Sequence, residues 1–311
     1  MVYDKLLSQV ADSPRQPALL GHFLLAKKVE DRSPRTIEWY QEALEGFERF
    51  CRKEGIDPDP AKITPFNVRT WLAYIQATGV SKSTLNNRFR ALRAFLNWCV
   101  AEGIIDRSPM SNIRTPSVGS ILIPVFSPMH VKALLYLCPP NTWWGARDRA
   151  IILTLLYTGI RLSELTGLML EDVNLAQDCV KVLGKGDKER TIYLAPEAQQ
   201  AILRYIRHRE DGLPYLWLSQ CGVQLTPNAV QQLIRDLGRK AGIKGVRCSA
   251  HTFRHTFAVN FLKAGGSLRH LQEIMGHTSM KPLEVYLRTV SADDAMHFHR
   301  QVRPFKGWEL V

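Results

Sequence analysis

Four short stretches of the chain gather residue types that could act together on an anionic substrate. In Tyr157-Thr-Gly-Ile-Arg-Leu-Ser-Glu-Leu165, Arg161 stands just after a glycine break in an otherwise apolar region. A buried arginine needs an anion beside it, and Glu164 and Asp172 are the internal candidates for that pairing. His251-Thr-Phe-Arg-His255 sets His251 and Arg254 three residues apart. On a helix the two share a face, offering a cation beside a titratable donor, a pair suited to phosphate. His251 and His255 also have the i, i+4 spacing of a metal pair, but the glutamate of H-E-x-x-H is missing and no third ligand is evident. His255 suits a packed core equally well. In Met275-Gly-His-Thr278, Gly276 allows a tight helix end that would aim His277 in a fixed direction. Tyr286 follows nine residues after His277; alone, it reads as a helix tyrosine with its ring packed and its hydroxyl wet. Finally, Gly184-Lys-Gly-Asp-Lys188 puts Lys185 and Lys188 on a glycine-flanked tip between two strand-like runs. A flexible lysine there can be laid against a bound ligand, although the pattern is not a Walker phosphate loop.

The elements that must hold these residues fall into two groups. The first third of the chain reads as four helices: near Pro17–Glu30, from Ser33-Pro34 to about Lys53, from Thr64-Pro65 to Gly79, and from Ser81 to just before Gly103. Ser or Thr followed by Pro is the N-cap and first-turn pairing that helices favour, and short turns between them make a bundle. The fourth helix carries an apolar stripe, Leu85, Phe89, Leu92 and Leu96, and an opposite face bearing Lys82, Asn86, Arg90 and Arg93. No acidic residue occurs between Ser81 and Ala101. A solvated face normally mixes both signs, so this one points to phosphate and base-edge contacts.

Pro109, Pro116, Pro124 and Pro128, with Ser and Gly between them, mark an interdomain linker. The second domain mixes helices with two β-like runs, Asp178–Leu183 and Glu189–Leu194. Its helices are expected at Ser127–Cys138, Arg147–Tyr157, Glu197–Arg209, Pro227–Ala241, His251–Ala264, Leu268–Met275 and Met280–Leu287. The fold class is therefore mainly α with a small β-hairpin or sheet in the second domain. The divisions fall at 1–106 for the helical domain, 107–126 for the linker, and 127–311 for the second domain with its tail.

Composition agrees with a DNA-facing protein and excludes several classes. The 311 residues hold 41 Lys and Arg against 29 Asp and Glu, a net charge of +12. An excess of this size points to a polyanionic partner, most often nucleic acid, and both domains share it. The longest nearly apolar run, Ala150–Ile160, is too short to span a bilayer. No apolar stretch follows a basic start as in a signal peptide, so the expected location is cytoplasmic, or on the nucleoid when bound to DNA. The six cysteines include no C-x-x-C pair, and neither a zinc ribbon nor a disulfide framework is expected.

Together the four stretches resemble those of the tyrosine recombinases, the phage-integrase-like site-specific recombinases. That family's pattern is Arg, Lys, His-x-x-Arg, His or Trp, then Tyr. The chain supplies Arg161, Lys185, His251 with Arg254, His277 and Tyr286 in that order. The resemblance implies a helical core-binding domain followed by a mixed α/β catalytic domain, in an Xer-like two-domain layout. It implies cleavage and rejoining of DNA through a 3′-phosphotyrosine, with no metal, ATP or other cofactor. In that scheme Arg161 and Arg254 meet the charge on the non-bridging oxygens, and Tyr286 is the nucleophile. His251 is the base, Lys185 protonates the departing 5′ oxygen, with Lys188 as alternative, and His277 hydrogen-bonds a phosphate oxygen. The implied partner is double-stranded DNA with inverted-repeat core sites, bound by a tetramer. The helix after Thr226-Pro227 would add Asn228, Gln231, Arg235 and Arg239 to the DNA contacts, and the tail after Ala292 (His297, Phe298, Val302, Phe305) would dock on a neighbouring protomer or fold back on its own domain. Integration or excision of a mobile element is the leading role, with Xer-type resolution of chromosome or plasmid dimers as the alternative. A type IB topoisomerase and a DNA-binding protein with a silent site are the competing functions.

Overall fold

The computed structural model describes residues 15–115, 123–184 and 188–289, with 294, 296, 298 and 300 beyond them. The chain divides into two compact units, Met1–Ser120 and Ile121–Val311. Lys185, at the tip of the expected hairpin, and His297, Val302 and Phe305 of the tail lie outside the described residues.

The first unit is built from α1 (Arg15–Val29), α2 (Pro34–Lys53), α3 (Pro65–Ala77) and α4 (Lys82–Ala101). Three of the four starts are capped as the sequence suggests. The hydroxyls of Ser33, Thr64 and Ser81 accept from the amides of Thr36, Asn67 and Thr84, satisfying donors the helix leaves open. The core joins Phe23, Phe47, Trp71, Phe89, Leu92 and Leu96, and continues through Ile105, Met110 and Ile113. Residues expected in the linker thus belong to the bundle as far as Ile113, because these three apolar side chains close its open end. Arg93 fastens this segment: its guanidinium donates to the carbonyl of Ile113 at 2.6 Å and to Thr115 Oγ1 at 3.2 Å, and lies over the Phe89 ring. Lys82 and Arg90 are exposed, and Asn86 is half-buried.

The second unit contains α5 (Pro128–Tyr136), α6 (Trp143–Thr158), α7 (Leu162–Gly167), then β1 (Val173–Asn174), β2 (Cys179–Leu183) and β3 (Glu189–Tyr193). α8 (Pro196–Arg207), α9 (Pro227–Lys240), α10 (Ala250–Lys263), α11 (Leu268–Met275) and α12 (Glu284–Leu287) complete it. The strands form an antiparallel sheet in the order β1-β2-β3, with Val180 opposite Ile192 and Val182 opposite Arg190. The two-residue β1 and the six-residue α7 are too short for periodicity to announce. α12 is shorter than the expected Met280–Leu287. Pro282 lacks an amide hydrogen and restricts the residue before it, so residues before Glu284 form turns. No helix among the described residues is long and apolar enough to cross a membrane.

The main core surrounds α6, whose Ala150, Ile151, Ile152 and Leu155 are fully buried. That helix ends at Gly159, whose φ of +60° is left-handed, and a Cβ there would collide with the Phe257 ring. Gly159→Ala is expected to cost about 1–3 kcal/mol, since both backbone strain and the clash act on it; a lowered melting temperature would show it.

Candidate active site

Three arginines and one carboxylate frame the site. Arg161 follows the Gly159 break and caps α7. Its amide donates to Glu164 Oε2 at 2.8 Å and its Nη1 to Oε1 at 2.7 Å. Arg190, inward-facing on β3, forks onto the same carboxylate at 3.0 and 2.8 Å. The Glu164 side chain is only 3% exposed. Burial pushes its carboxyl up, but the hydrogen bonds from Arg190 and from the amide and guanidinium of Arg161 outweigh this and hold it at about 2. Of the two internal partners open to Arg161 from the sequence, Glu164 is the one used; Asp172 accepts from the amide of Met169.

The end of α11 gathers the arginines. Arg190 Nε donates to the Ile274 carbonyl, Arg254 Nη2 to that of Met275 and Arg161 Nη2 to that of Gly276, at 2.8, 2.7 and 2.8 Å. Three successive carbonyls at a helix C-terminus therefore each hold a different guanidinium, where the helix dipole favours cations. Gly276 sits at φ +61°, and a Cβ there would lie 2.9 Å from Arg190 Nη1, so glycine is required both by conformation and by the arginine beside it. Arg254 is buried and sends Nη1 to the Gly159 carbonyl at 2.7 Å. Burial, with the charge of Arg161, lowers it to about 10, so it remains a cation at neutral pH.

Beyond Gly276, His277 places Nε2 2.7 Å from Arg254 Nη2. Arginine is a donor only, so Nε2 is the acceptor and the ring's proton sits on Nδ1, which is buried without a partner. Burial, then the charges of Arg254, Arg161 and Arg190, lower His277 to about 4.

Tyr286 lies on α12 in a small apolar core with Leu262, Leu271, Met275 and Leu283. The residue is 3% exposed, and burial raises its hydroxyl above the ordinary tyrosine value. The hydroxyl meets His255, with Oη 2.7 Å from Nδ1. Burial, His251 and Arg254 lower His255 to about 4. His251 stands one turn back, its ring centroid 4.1 Å from that of His255 and the planes at 69°; burial, Arg254 and Arg247 lower it too.

Arg161, His251, Arg254, His277, Tyr286 and Gln231 all line one cleft of about 380 Å³, together with His255. Arg190 and His255 were not among the residues expected to form the site. Period-two alternation along β3 could have turned Arg190 inward, but nothing in the sequence marks its partner. His255 shares a helix face with His251, the one signal available. Of the residues on the hairpin tip, Lys188 is exposed, and its carbonyl accepts from the Gly184 amide at 2.8 Å. On α9, Asn228, Arg235 and Arg239 are exposed, with Arg239 paired to Asp236, while Gln231 is half-buried.

The "Phage integrase family" pattern matches residues 125–292, and "Phage integrase, N-terminal SAM-like domain" matches residues 23–103. Tyrosine recombinase XerC of Pelobacter propionicus is 33% identical over 281 residues, covering 88% of this chain and 90% of that protein. Tyrosine recombinase XerA of Pyrococcus furiosus is 32% identical over 277 residues, with the same two coverages. Among solved structures, a XerH recombinase bound to a palindromic difH substrate shares the fold with a TM-score of 0.70 at 20% identity, covering 90% of this chain and 82% of that one. The chain belongs to the phage integrase family. It is a tyrosine recombinase, a site-specific enzyme that cleaves and rejoins DNA.

Proposed function

We propose that this recombinase binds the scissile phosphate in the cleft between Arg161, Arg254 and His277 and attacks it with Tyr286. The observation that carries this reading is the convergence of those four residues and His251, drawn from four separate stretches of chain, on one cleft. Attack concentrates charge on the non-bridging oxygens, and rigid paired donors stabilise it best where it develops. Tyr286 forms a 3′-phosphotyrosine and frees a 5′-hydroxyl, with His251 as the base that the family pattern assigns to its proton. His277 hydrogen-bonds a phosphate oxygen once its Nε2, which here accepts from Arg254, carries a proton. The hairpin lysine that protonates the departing oxygen is Lys185, chosen by the family pattern over Lys188. The phosphotyrosine conserves the bond energy, so rejoining needs no ATP.

Duplex contacts outside the cleft come from Lys82, Asn86 and Arg90 on α4, with Arg93 adding charge while its donors serve its own chain, and from Asn228, Gln231, Arg235 and Arg239 on α9. One site cuts one strand, so exchange uses a tetramer on two inverted-repeat duplexes. The tail after Ala292 is a candidate contact between protomers, with folding back on its own domain as the alternative that its contacts within this chain favour. It starts from an anchored segment: Asp294 lies 3.3 Å from Lys263 Nζ, and the Phe298 ring lies against Gly265. As for role, integration or excision of a mobile element fits the same chemistry. Xer-type dimer resolution is favoured by Xer relatives aligned over about nine-tenths of both chains.

The test starts with duplexes selected by the protein from a randomised pool. These are nicked beside the scissile bond and incubated with the full chain in EDTA. A covalent protein–DNA species resistant to denaturation, with the nucleotide mapped by mass to the peptide containing Tyr286, is the expected result. A nucleotide mapped to another residue refutes the assignment.

A further inference from the structure

His255 occupies a place in the site that the family pattern of Arg, Lys, His-x-x-Arg, His and Tyr does not assign. It is the only described residue with a hydrogen bond to the Tyr286 hydroxyl, at 2.7 Å through Nδ1. The bond joins α10 to α12 and lies beside the cleft that the phosphate would enter. We propose that His255, rather than His251, is the group that takes the proton from Tyr286 in cleavage and returns it in rejoining. This rests on the recombinase reading above and deepens it.

The step balances. The Tyr286 Oη–P bond forms as the phenolic proton passes to Nδ1 of a His255 that carries its other proton on Nε2. The P–O5′ bond breaks as the departing oxygen takes a proton from the hairpin lysine. In rejoining, the 5′-hydroxyl attacks phosphorus and the imidazolium gives its Nδ1 proton back to the leaving Tyr286 oxygen.

The surroundings explain why the transfer waits for substrate. The groups facing His255 are His251 and Arg254 on its own helix, Tyr286 on α12, Arg161 and His277 across the cleft, and Arg247 along the adjoining wall. Burial and the neighbouring charges keep His255 neutral, so Nδ1 can accept from Tyr286. Burial keeps the proton on Tyr286. A phosphate set among Arg161, Arg254 and His277 offsets the guanidinium charge that opposes an imidazolium, and so raises the proton affinity of His255 only when there is a bond to cut. His251, with its ring edge-to-face against that of His255, orients the ring instead of contacting the nucleophile.

The test uses the full chain and a duplex the wild type cleaves, carrying sulfur in place of the bridging 5′ oxygen. A thiolate leaves without a proton, so the hairpin lysine drops out of the rate. Single-turnover adduct formation is followed against pH for wild type, His255→Asn, His255→Ala and His251→Ala, with Tyr286→Phe as blank. Asparagine can accept the hydrogen bond where Nδ1 stood, but it takes no proton. The expected result is a slowing of His255→Asn by about 100-fold, with a rate that climbs about tenfold per pH unit as hydroxide replaces the lost base. Added imidazole should restore His255→Ala, and a melting curve for each variant separates this from unfolding. His255→Asn with the wild-type rate and pH profile overturns the proposal, as does the hydroxide-dependent profile appearing in His251→Ala alone. An adduct that persists in Tyr286→Phe refutes the recombinase site itself.

Discussion

Arg254→Lys is expected to leave a protein that binds its duplex nearly as well as wild type and cleaves it about 1,000-fold more slowly. Arg254 keeps Nη1 on the Gly159 carbonyl and Nη2 on the Met275 carbonyl and His277. This triangle fixes the guanidinium plane against the cleft. A lysine retains the charge, but its single nitrogen cannot span both carbonyls, and it presents no rigid fork to a phosphate. Losing one such donor at a developing oxyanion typically costs 10²- to 10³-fold, and the misplaced His277 adds to it. Duplex affinity in general sums many phosphate contacts, so one charge-conserving change is expected to alter it little. Binding by gel shift and single-turnover cleavage on the same duplex separate the two. A parallel loss of both would mean that Arg254 serves ground-state binding.

The second large effect is expected at Glu164. Among the described residues, Glu164→Gln removes the only carboxylate that pairs Arg161 and Arg190, leaving two guanidinia without that anion. Breaking a buried pair in this way costs about 3–5 kcal/mol, read as a lower denaturant midpoint. The pH dependence has a definite sign. The folded carboxyl lies at about 2 against an ordinary 4.5, so the unfolded chain takes up the proton first. The stabilisation is complete above pH ~4.5 and is lost as pH falls toward ~2, about 3 kcal/mol in all. Wild type should therefore lose stability along this limb, and Glu164→Gln should flatten it. An unchanged acid limb in the variant would assign the acid sensitivity to other carboxylates.

The sequence was most informative where side-chain type is coupled to backbone geometry. Ser33-Pro34, Thr64-Pro65 and Ser81 announce helix starts because capping is a local event. Gly159 and Gly276 announce helix ends because left-handed backbone needs glycine. The cleft residues are legible because each stands in a stretch that is odd for a plain core. What stayed hidden depends on tertiary placement. Arg190 sits on a short strand with nothing beside it in sequence to show that it meets Glu164, 26 residues away. His255 is adjacent to Arg254, but its bond to Tyr286 closes a loop of 31 residues. That Met110 and Ile113 pack with the bundle is not legible, because they are isolated apolar residues among prolines and polar groups. The α12 start is not legible because a turn around Pro282 and a helix share the same composition.

The three carbonyls at the end of α11 bear on how this site can vary. Ile274, Met275 and Gly276 hold Arg190, Arg254 and Arg161 through main-chain oxygens, which every amino acid possesses. Residues 274 and 275 are therefore free to drift as far as packing allows without disturbing the charge constellation, whereas each arginine takes part through its side chain. A comparison of residue identities would score two of these three positions as unimportant. The functional content there is carried by the path of the chain, and only a change that moves that path, such as an insertion in α11 or a side chain at Gly276, would erase it.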